Sequence, residues 1–392
     1  MEPARKFMPR VPFYRDPKLR GLLLQALLCA ALGLLAYGAV RNAAENLARA
    51  NIASGFGFLD VTAGFDIGQT LIDYSSQTST YGRAFWIGIL NTLLVAGIGI
   101  AFATVIGFVV GIARLSKNFL VERLATGYVE LIRNVPLLLQ LLFWYNAVLK
   151  ALPEIASSLV MPGGFILNNR GLFTPRPLFA DGSQIVAVLA GTVVLAVVFN
   201  IAAGRIERLQ RAIVVRVATT AMIVVGVPVA AFLAAGAPFA FEYPEIGRFN
   251  VGGGAELLPE FVALLLGLSI YTAAFIAEVV RAGLKSVSPG QTEAAQALGL
   301  RRMQLLRLIV IPQAMRVIIP PLTNQYLNLT KNSSLAVAIG YPDLVQIAGT
   351  VLNISGQAVE VVVITMAVYL TVSLITSLVM NIYNARYALV ER

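Results

Sequence analysis

Long, nearly uninterrupted apolar runs constrain this chain more than any other feature. They fall near 21–40, 84–113, 126–149, 184–203, 212–235, 260–282, 313–337 and 358–382. A hydrocarbon core about 30 Å thick is crossed by roughly 20 apolar residues in a helix. Backbone exposed to lipid must satisfy its own hydrogen bonds, which helices do. The runs therefore predict an all-α integral membrane protein of about eight transmembrane helices, the seventh interrupted by Pro320 and Pro321. Composition agrees: 13% of the 392 residues are charged and 58% are hydrophobic, whereas soluble domains carry about 25% charged residues. Too little polar surface remains to coat a water-soluble globule.

The charges between the runs set an orientation. With the N-terminus inside, the cytoplasmic loops hold Arg5, Lys6, Arg10, Arg15, Lys18 and Arg20, then Arg114, Lys117 and Arg123, then the basic stretch from Arg205 to Arg216. They also hold the cluster from Arg281 to Arg316, and finally Arg386 and Arg392. The outer loops hold fewer basic residues, diluted by Asp60, Asp66, Asp73, Glu242, Glu245 and Glu256. Lys and Arg concentrate on the cytoplasmic side of membrane proteins, so both termini are expected in the cytoplasm. The basic flank before residue 21 suits a signal peptide in part. The run that follows is as long as a full span and shows no small-x-small cleavage site before Arg41, so an uncleaved anchor is expected.

Several function classes fall away. The net charge of +10 is spread between apolar runs, not gathered with aromatics on one nucleic-acid-binding patch. There is no histidine, and the one cysteine, Cys29, lies in an apolar run. Disulfide frameworks, Cys/His metal sites, histidine general bases and Cys–His dyads are excluded together. No G-x-x-x-x-G-K-[ST] loop is present to cradle nucleotide phosphates, so this chain is not expected to hydrolyse ATP. No internal repeat is visible, which disfavours secondary transporters built from inverted repeats.

Ser286–Pro312 (SVSPGQTEAAQALGLRRMQLLRLIVIP) is the most informative segment. Ser288 suits a helix N-cap, Pro289 the first helical position and Gln291 the closing residue of a capping box. Gly299 suits a left-handed C-cap. The pattern predicts a helix over 289–298, roughly 15 Å long, and a second over 301–308. Ala294, Ala295 and Ala297 let another backbone approach closely, and Glu293 places a charge near the middle. Such a helix either seats in a groove of a cytoplasmic partner or lies on the headgroups as an interfacial helix.

Glu293-Ala294-Ala295, Gly299 and Ile309-x-Ile311-Pro312 at this spacing resemble the EAA loop of ATP-binding-cassette (ABC) importer permeases. Glu130-x-x-Arg133-Asn134-x-Pro136-Leu137-Leu138-x-Gln140, Glu278-x-x-Arg281-Ala282-Gly283, Pro321-x-x-Asn324 and Leu329-x-Lys331-Asn332-Ser333-Ser334-Leu335 resemble the polar amino-acid subgroup. Asn51–Asp60 and Leu167–Pro177 are similar to segments of the larger general L-amino-acid permeases, of the glutamate/glutamine/aspartate/asparagine type. The resemblance implies a coupling helix seated in a separate ATPase, with Glu293, Ala294, Ala295, Gly299 and Pro312 in the coupling loop. It also implies a five-span type I permease core over 84–149 and 260–382, with the coupling loop at 283–312. Around the core lie an accessory span and outer loop over 21–83, a 150–259 insert with two spans, and tails at 1–20 and 383–392. Implied partners are an ABC ATPase dimer carrying ATP and Mg, a second homologous permease chain, a periplasmic amino-acid-binding protein, and a polar L-amino-acid substrate. The implied location is the bacterial inner membrane, with no cofactor and no metal in this chain.

Polar groups inside the membrane need a reason, since a central charge costs about 2.5–3.5 kcal/mol on insertion scales. Asn324, Asn328 and Lys331 share one helical stripe, with Gln325 and Asn332 beside it; Gln140 and Ser333 belong to the same resembling motifs. These residues either line the translocation pathway or bond neighbouring helices together, and Lys331 near a span end has the further option of snorkelling to the interface. Glu130 with Arg133, and Glu278 with Arg281, are spaced to pair locally, for structure or for gating. An ion-coupled secondary transporter remains the alternative reading; it would need no coupling loop.

Overall fold

A computed structural model describes residues 17–49, 55–177, 182–203, 219–220, 222–223, 226–231, 241–247 and 250–385. The chain is mostly helical. The described helices are α1 (Pro17–Arg49), α2 (Tyr81–Ala113), α3 (Phe119–Asn134), α4 (Leu137–Leu142) and α5 (Gly182–Ala203). They continue with α6 (Pro259–Lys285), α7 (Pro289–Ala297), α8 (Arg302–Leu305), α9 (Ile311–Asn332), α10 (Leu344–Ser355) and α11 (Ala358–Ala385). Among the described residues, five helical runs are long and apolar enough to cross a membrane: Arg20–Ala39, Tyr81–Ala113, Pro259–Lys285, Arg302–Ile339 and Ala358–Ile382. Leu137–Leu149 and Leu344–Ser355 are shorter apolar helices. The predicted run 184–203 falls within α5, whereas most of 212–235, the tail before residue 17, the basic residues Arg205, Arg208, Arg211, Arg216 and Arg248, and the tail 386–392 lie outside the described residues.

Two compact units divide the chain. One holds the residues up to Arg133 together with those from Tyr271 onward, and the other spans Asn134–Ile270.

In the first unit, α2 is 33 residues long, about 50 Å at 1.5 Å per residue. The Thr80 side chain caps it, accepting from the Arg83 N–H at 3.3 Å. Gly107 and Gly111 lie one turn apart on the face that meets α6. A Cβ at Gly107 would come within 2.6 Å of the Ile276 side chain, and one at Gly111 within 2.8 Å of the Ala277 carbonyl. This is the close backbone approach that small-x-x-x-small spacing permits in membranes. On the same face, Val129 of α3 packs with Ala274 and Ala277 of α6. At the other end of α2, Tyr81, Phe85 and Ile87 join Leu344, Ile347 and Val351 of α10 and Val361 of α11 in one buried cluster. Phe58 and Ala63, from the loop before α2, complete that cluster.

Two expectations about this unit are corrected, and one helix is added. Pro320 and Pro321 do not interrupt the seventh run: α9 continues through both. Prolines are tolerated in spanning helices where neighbouring groups re-satisfy the freed carbonyls. The second short helix, expected over 301–308, is not separate: α8 passes through a π-helical turn (Leu306–Val310) directly into α9. The Arg301 N–H is instead capped by the Gln304 side chain at 3.0 Å. The added helix is α10: its apolar residues sit between two longer runs, and its boundaries are set by the Asp343 cap and by Gly356 at φ +70°.

The second unit corrects two more. The run 126–149 is not one continuous helix: the helix stops at Asn134, and α4 starts after Pro136. Proline has no N–H to donate and disfavours helix in the residue before it. The second of these corrections concerns the all-α expectation. Strands Leu159–Met161, Phe165–Asn168, Gly171–Thr174 and Ala255–Leu257 form an antiparallel four-stranded sheet. Inward residues alternate along the two central strands, as strand period demands, and Ile166 and Phe173 there are buried together with Val251 from a neighbouring two-stranded ladder. Asn168 and Gly171 pair across a two-residue turn. The Asn168 carboxamide holds that turn, accepting from the Arg170 N–H at 2.8 Å.

Candidate functional site

The segment 283–312, expected to form the coupling loop, follows directly on an ion cluster near the end of α6. Glu278 accepts from Arg281 on its own helix and from Arg114, the residue that ends α2. The Arg114 side chain is only 10% exposed, and its Nε also reaches the Thr126 hydroxyl on α3 at 3.4 Å. Thr126 in turn donates to Glu122 at 3.3 Å. Charge-assisted bonds in such partly dry sites are about twice as strong as neutral ones. The cluster therefore clamps the ends of α2 and α6 to the middle of α3 beside the segment that leads to α7. Arg114 was read from sequence only as one more positive-inside charge; its partner lies 164 positions away, and no local spacing could have revealed it.

Glu130 and Arg133 behave differently from expectation. The described residues form no ion pair between them; the Arg133 guanidinium sits over the Phe275 ring, 5.0 Å from its centroid, and Glu130 is exposed on α3. A planar guanidinium gains from an aromatic face, and that contact is the one Arg133 makes here.

The helix expected over 289–298 is α7. Pro289 occupies its first turn, but Ser288 caps it without its side chain, so the expected capping box is absent. The C-terminal end forms as the sequence suggested, one residue earlier than predicted. Gly299 adopts φ +75°, its N–H bonds the Gln296 carbonyl at 2.9 Å, and the Leu300 N–H bonds the Ala295 carbonyl at 3.1 Å. Those two bonds make a Schellman closure. A Cβ at Gly299 would touch nothing within 4 Å, so the glycine answers to backbone conformation and leaves open space around it.

The alanines divide between two faces. Ala295 is 0% exposed, turned into the chain, while Glu293, Ala294 and Ala297 are exposed. Beside them Leu298 is 80% exposed and Met303 74%, an apolar edge that motif reading passed over. Pro312 sits in the first turn of α9 and is partly buried.

Along α9, Asn324, Asn328 and Lys331 are exposed in this chain, Asn332 is half-buried and Ser333 is buried. Lys331-Asn332-Ser333-Ser334 marks the point where the α-helix tightens into a 3-10 helix (Ser333–Ile339), which ends on Gly340 at φ +78°. The two serines serve that transition. Ser333 donates to the Thr330 carbonyl at 2.8 Å and Ser334 to the Lys331 carbonyl at 2.7 Å. Gln140 belongs to the second unit, where its Nε2 donates to the Val135 carbonyl at 2.9 Å. In that break the Leu139 N–H turns to the Pro136 carbonyl, so the Gln140 side chain takes the acceptor a continuous helix would have used. Among the described residues no group of three or more His, Cys, Asp or Glu is arranged to hold a metal ion.

Comparison with known proteins gives a consistent picture. Residues 99–389 match the family described as binding-protein-dependent transport system inner membrane component. The chain is 51% identical over 381 residues to the general L-amino acid transport system permease protein AapQ of Rhizobium johnstonii, covering 96% of this chain and 94% of that one. It is 48% identical to the putative amino-acid ABC transporter permease protein YhdX of Escherichia coli, covering 97% of each. It is also 39% identical to the glutamate/glutamine/aspartate/asparagine transport system permease protein BztB of Rhodobacter capsulatus, covering 96% of each.

Proposed function

Because this chain belongs to the binding-protein-dependent transport system inner membrane components, we propose that it is the permease subunit of an ATP-driven importer of polar L-amino acids, with acidic and amide side chains the favoured class. It is the membrane component and not the ATPase. The observation that carries the coupling role is α7: a short helix whose outward face presents Glu293, Ala294 and Ala297, closed by the Gly299 turn and edged by exposed Leu298. A small-residue face rimmed by one apolar side chain suits insertion into a groove of a soluble ATPase. Movement of that ATPase would reach α6 through the Glu278 cluster and α9 through the continuous run from Arg302. The working assembly is a heterodimer of permease chains with two ATPases and a binding protein delivering substrate outside.

The topology in this reading has eight crossings and both termini in the cytoplasm, following the loop charges. Loops 41–83 and 150–183 then face the binding protein. Asp60, Asp66 and Asp73 are exposed, and residues 55–80 contain no Lys or Arg, so a basic surface on the binding protein is the matching partner. Deleting 51–66 would also remove Phe58 and Ala63 from the core of the first unit. Replacing the three aspartates by asparagine is the cleaner experiment, and unchanged dependence of transport on binding-protein concentration would count against docking there. Asn324, Asn328 and Lys331 are read as pathway residues. Lys331→Met is expected to lower transport at least tenfold without loss of assembly; full flux would remove Lys331 from the pathway.

The reading as a whole is tested by purifying the tagged chain from its host membrane and identifying what accompanies it. A nucleotide-hydrolysing subunit and a second permease are expected. A chain that purifies alone yet carries ion-driven flux would overturn the reading.

A further inference from the structure

The loop before α2 is a built structure. The Ala63 N–H bonds the Ser79 carbonyl at 2.8 Å and the Gly64 N–H the Ser76 carbonyl at 3.1 Å. The Tyr74 hydroxyl donates to the Phe65 carbonyl at 2.7 Å. Phe65, Ile67, Ile72 and Tyr74 pack inward against the cluster shared by α2, α10 and α11. At its start the Gly55 N–H is held by the Glu360 carboxylate of α11 at 2.7 Å. A load placed on its outer face would therefore be carried inward, and the hydrogen bonds show where.

Asn91 receives it. This residue lies ten positions into α2 and is 0% exposed. Its Nδ2 donates to the Gln69 carbonyl of the loop at 3.0 Å and to the Pro342 carbonyl at 2.9 Å. Both amide protons are thereby committed, one to each element. Pro342 sits in the turn between the 3-10 helix and α10, eight residues beyond Ser334, at the far end of the 3-10 helix that Ser333 begins. The turn is fastened to the same stretch of α2 by further bonds. The Tyr341 hydroxyl reaches the Asn91 carbonyl at 3.5 Å and the Gln69 side chain, and the Leu344 N–H bonds the Thr92 hydroxyl at 3.0 Å. Gly88 lets α10 come close enough that a Cβ there would lie 2.9 Å from the Leu344 Cα.

We propose that Asn91 is a positioning residue that ties the loop 56–80 to the polar segment at the end of α9, so that a binding protein pressing on the loop shifts the Lys331–Ser334 stretch of the translocation path. Buried carbonyls that lose their donor are costly, so loop and turn move together while the Asn91 amide is in place. Asn91 touches neither substrate nor ATPase; it acts through the two backbones it holds. The inference rests on the permease reading above.

The test uses the complete transporter in proteoliposomes, with its binding protein loaded from a mixture of L-glutamate, L-glutamine, L-aspartate and L-asparagine. ATP hydrolysis is measured without binding protein and across a titration of it, for the unsubstituted chain, Asn91→Ala, Asn91→Asp and Tyr341→Phe. Asn91→Asp keeps the shape but turns an acceptor toward two carbonyls. Tyr341→Phe removes a single hydroxyl and is the variant least able to disturb folding. The expected result for both Asn91 variants is unchanged basal hydrolysis and a maximal stimulation lowered about fivefold or more, the lower end of allosteric coupling. The binding-protein concentration at half-effect should stay unchanged, and Tyr341→Phe should show a smaller loss of the same kind. A purely structural role would lower basal and stimulated hydrolysis in proportion. That outcome, or full stimulation in both Asn91 variants, overturns the proposal. If no binding protein stimulates even the unsubstituted complex, the permease reading falls and this inference falls with it.

Discussion

Gly299 and Arg114 act through different physics, and each makes its own prediction. Gly299 holds a left-handed turn with open space around it. Gly299→Asp adds strain of about 1 kcal/mol and sets a carboxylate at a helix C-terminus, where the dipole disfavours it. Transport should be lost and ATPase attachment weakened while the protein stays in the membrane, as measured by co-purification and flux. Gly299→Asn, which tolerates the same φ, should keep α7 folded and lose less. Arg114 is held by charge: Arg114→Gln leaves Glu278 with one partner, a loss of about 1.5–3 kcal/mol for a charged hydrogen bond. The drop should appear in thermal unfolding of the detergent-solubilised chain, and Arg114→Glu combined with Glu278→Arg should recover part of it. At this scale the sequence was an uneven guide. Gly299 was legible because its cue is local, a glycine after a run of helix formers. Arg114 was not, because a bridge across 164 positions leaves no trace in spacing. Glu130 and Arg133 had the right spacing to pair, yet the Phe275 ring lay nearer to what Arg133 could use.

Among the elements, α2 depends most on close packing. Gly107→Ile would press its side chain into Ile276 and the Ala273 carbonyl, and overpacking of that kind costs roughly 1–3 kcal/mol. Reduced yield of folded protein and a lowered unfolding temperature are expected, with Gly97→Ala, where nothing lies within 4 Å, as the neutral control. The long apolar runs for α2, α6 and α11 were readable because lipid imposes length and composition on every span. What escaped was local. Pro136 breaks a run that hydropathy alone joins, whereas Pro320 and Pro321 leave α9 intact, and only packing distinguishes the two outcomes. The sheet at 159–174 had its turn residues, Gly163 and Gly164 at positive φ, in plain view. Its short strands were hidden because their period-two alternation spans four residues or fewer in each.

For the whole molecule, the family assignment rests on a match through most of the chain, and the account adds how force would enter it. In the proposed reading an ATPase would meet α7, and the Glu278 cluster and the unbroken run from Arg302 would carry its displacement into the membrane. The central claim is that the outward face of α7 is covered by a nucleotide-hydrolysing partner. Site-directed photo-crosslinking tests it most directly, with the probe placed in turn at Ala294, Leu298 and Ala295 in native membranes. The account predicts adducts with a soluble ATPase subunit from the exposed positions Ala294 and Leu298, and none from Ala295, which is turned inward. Adducts from Ala294 and Leu298 that reach only lipid would contradict it.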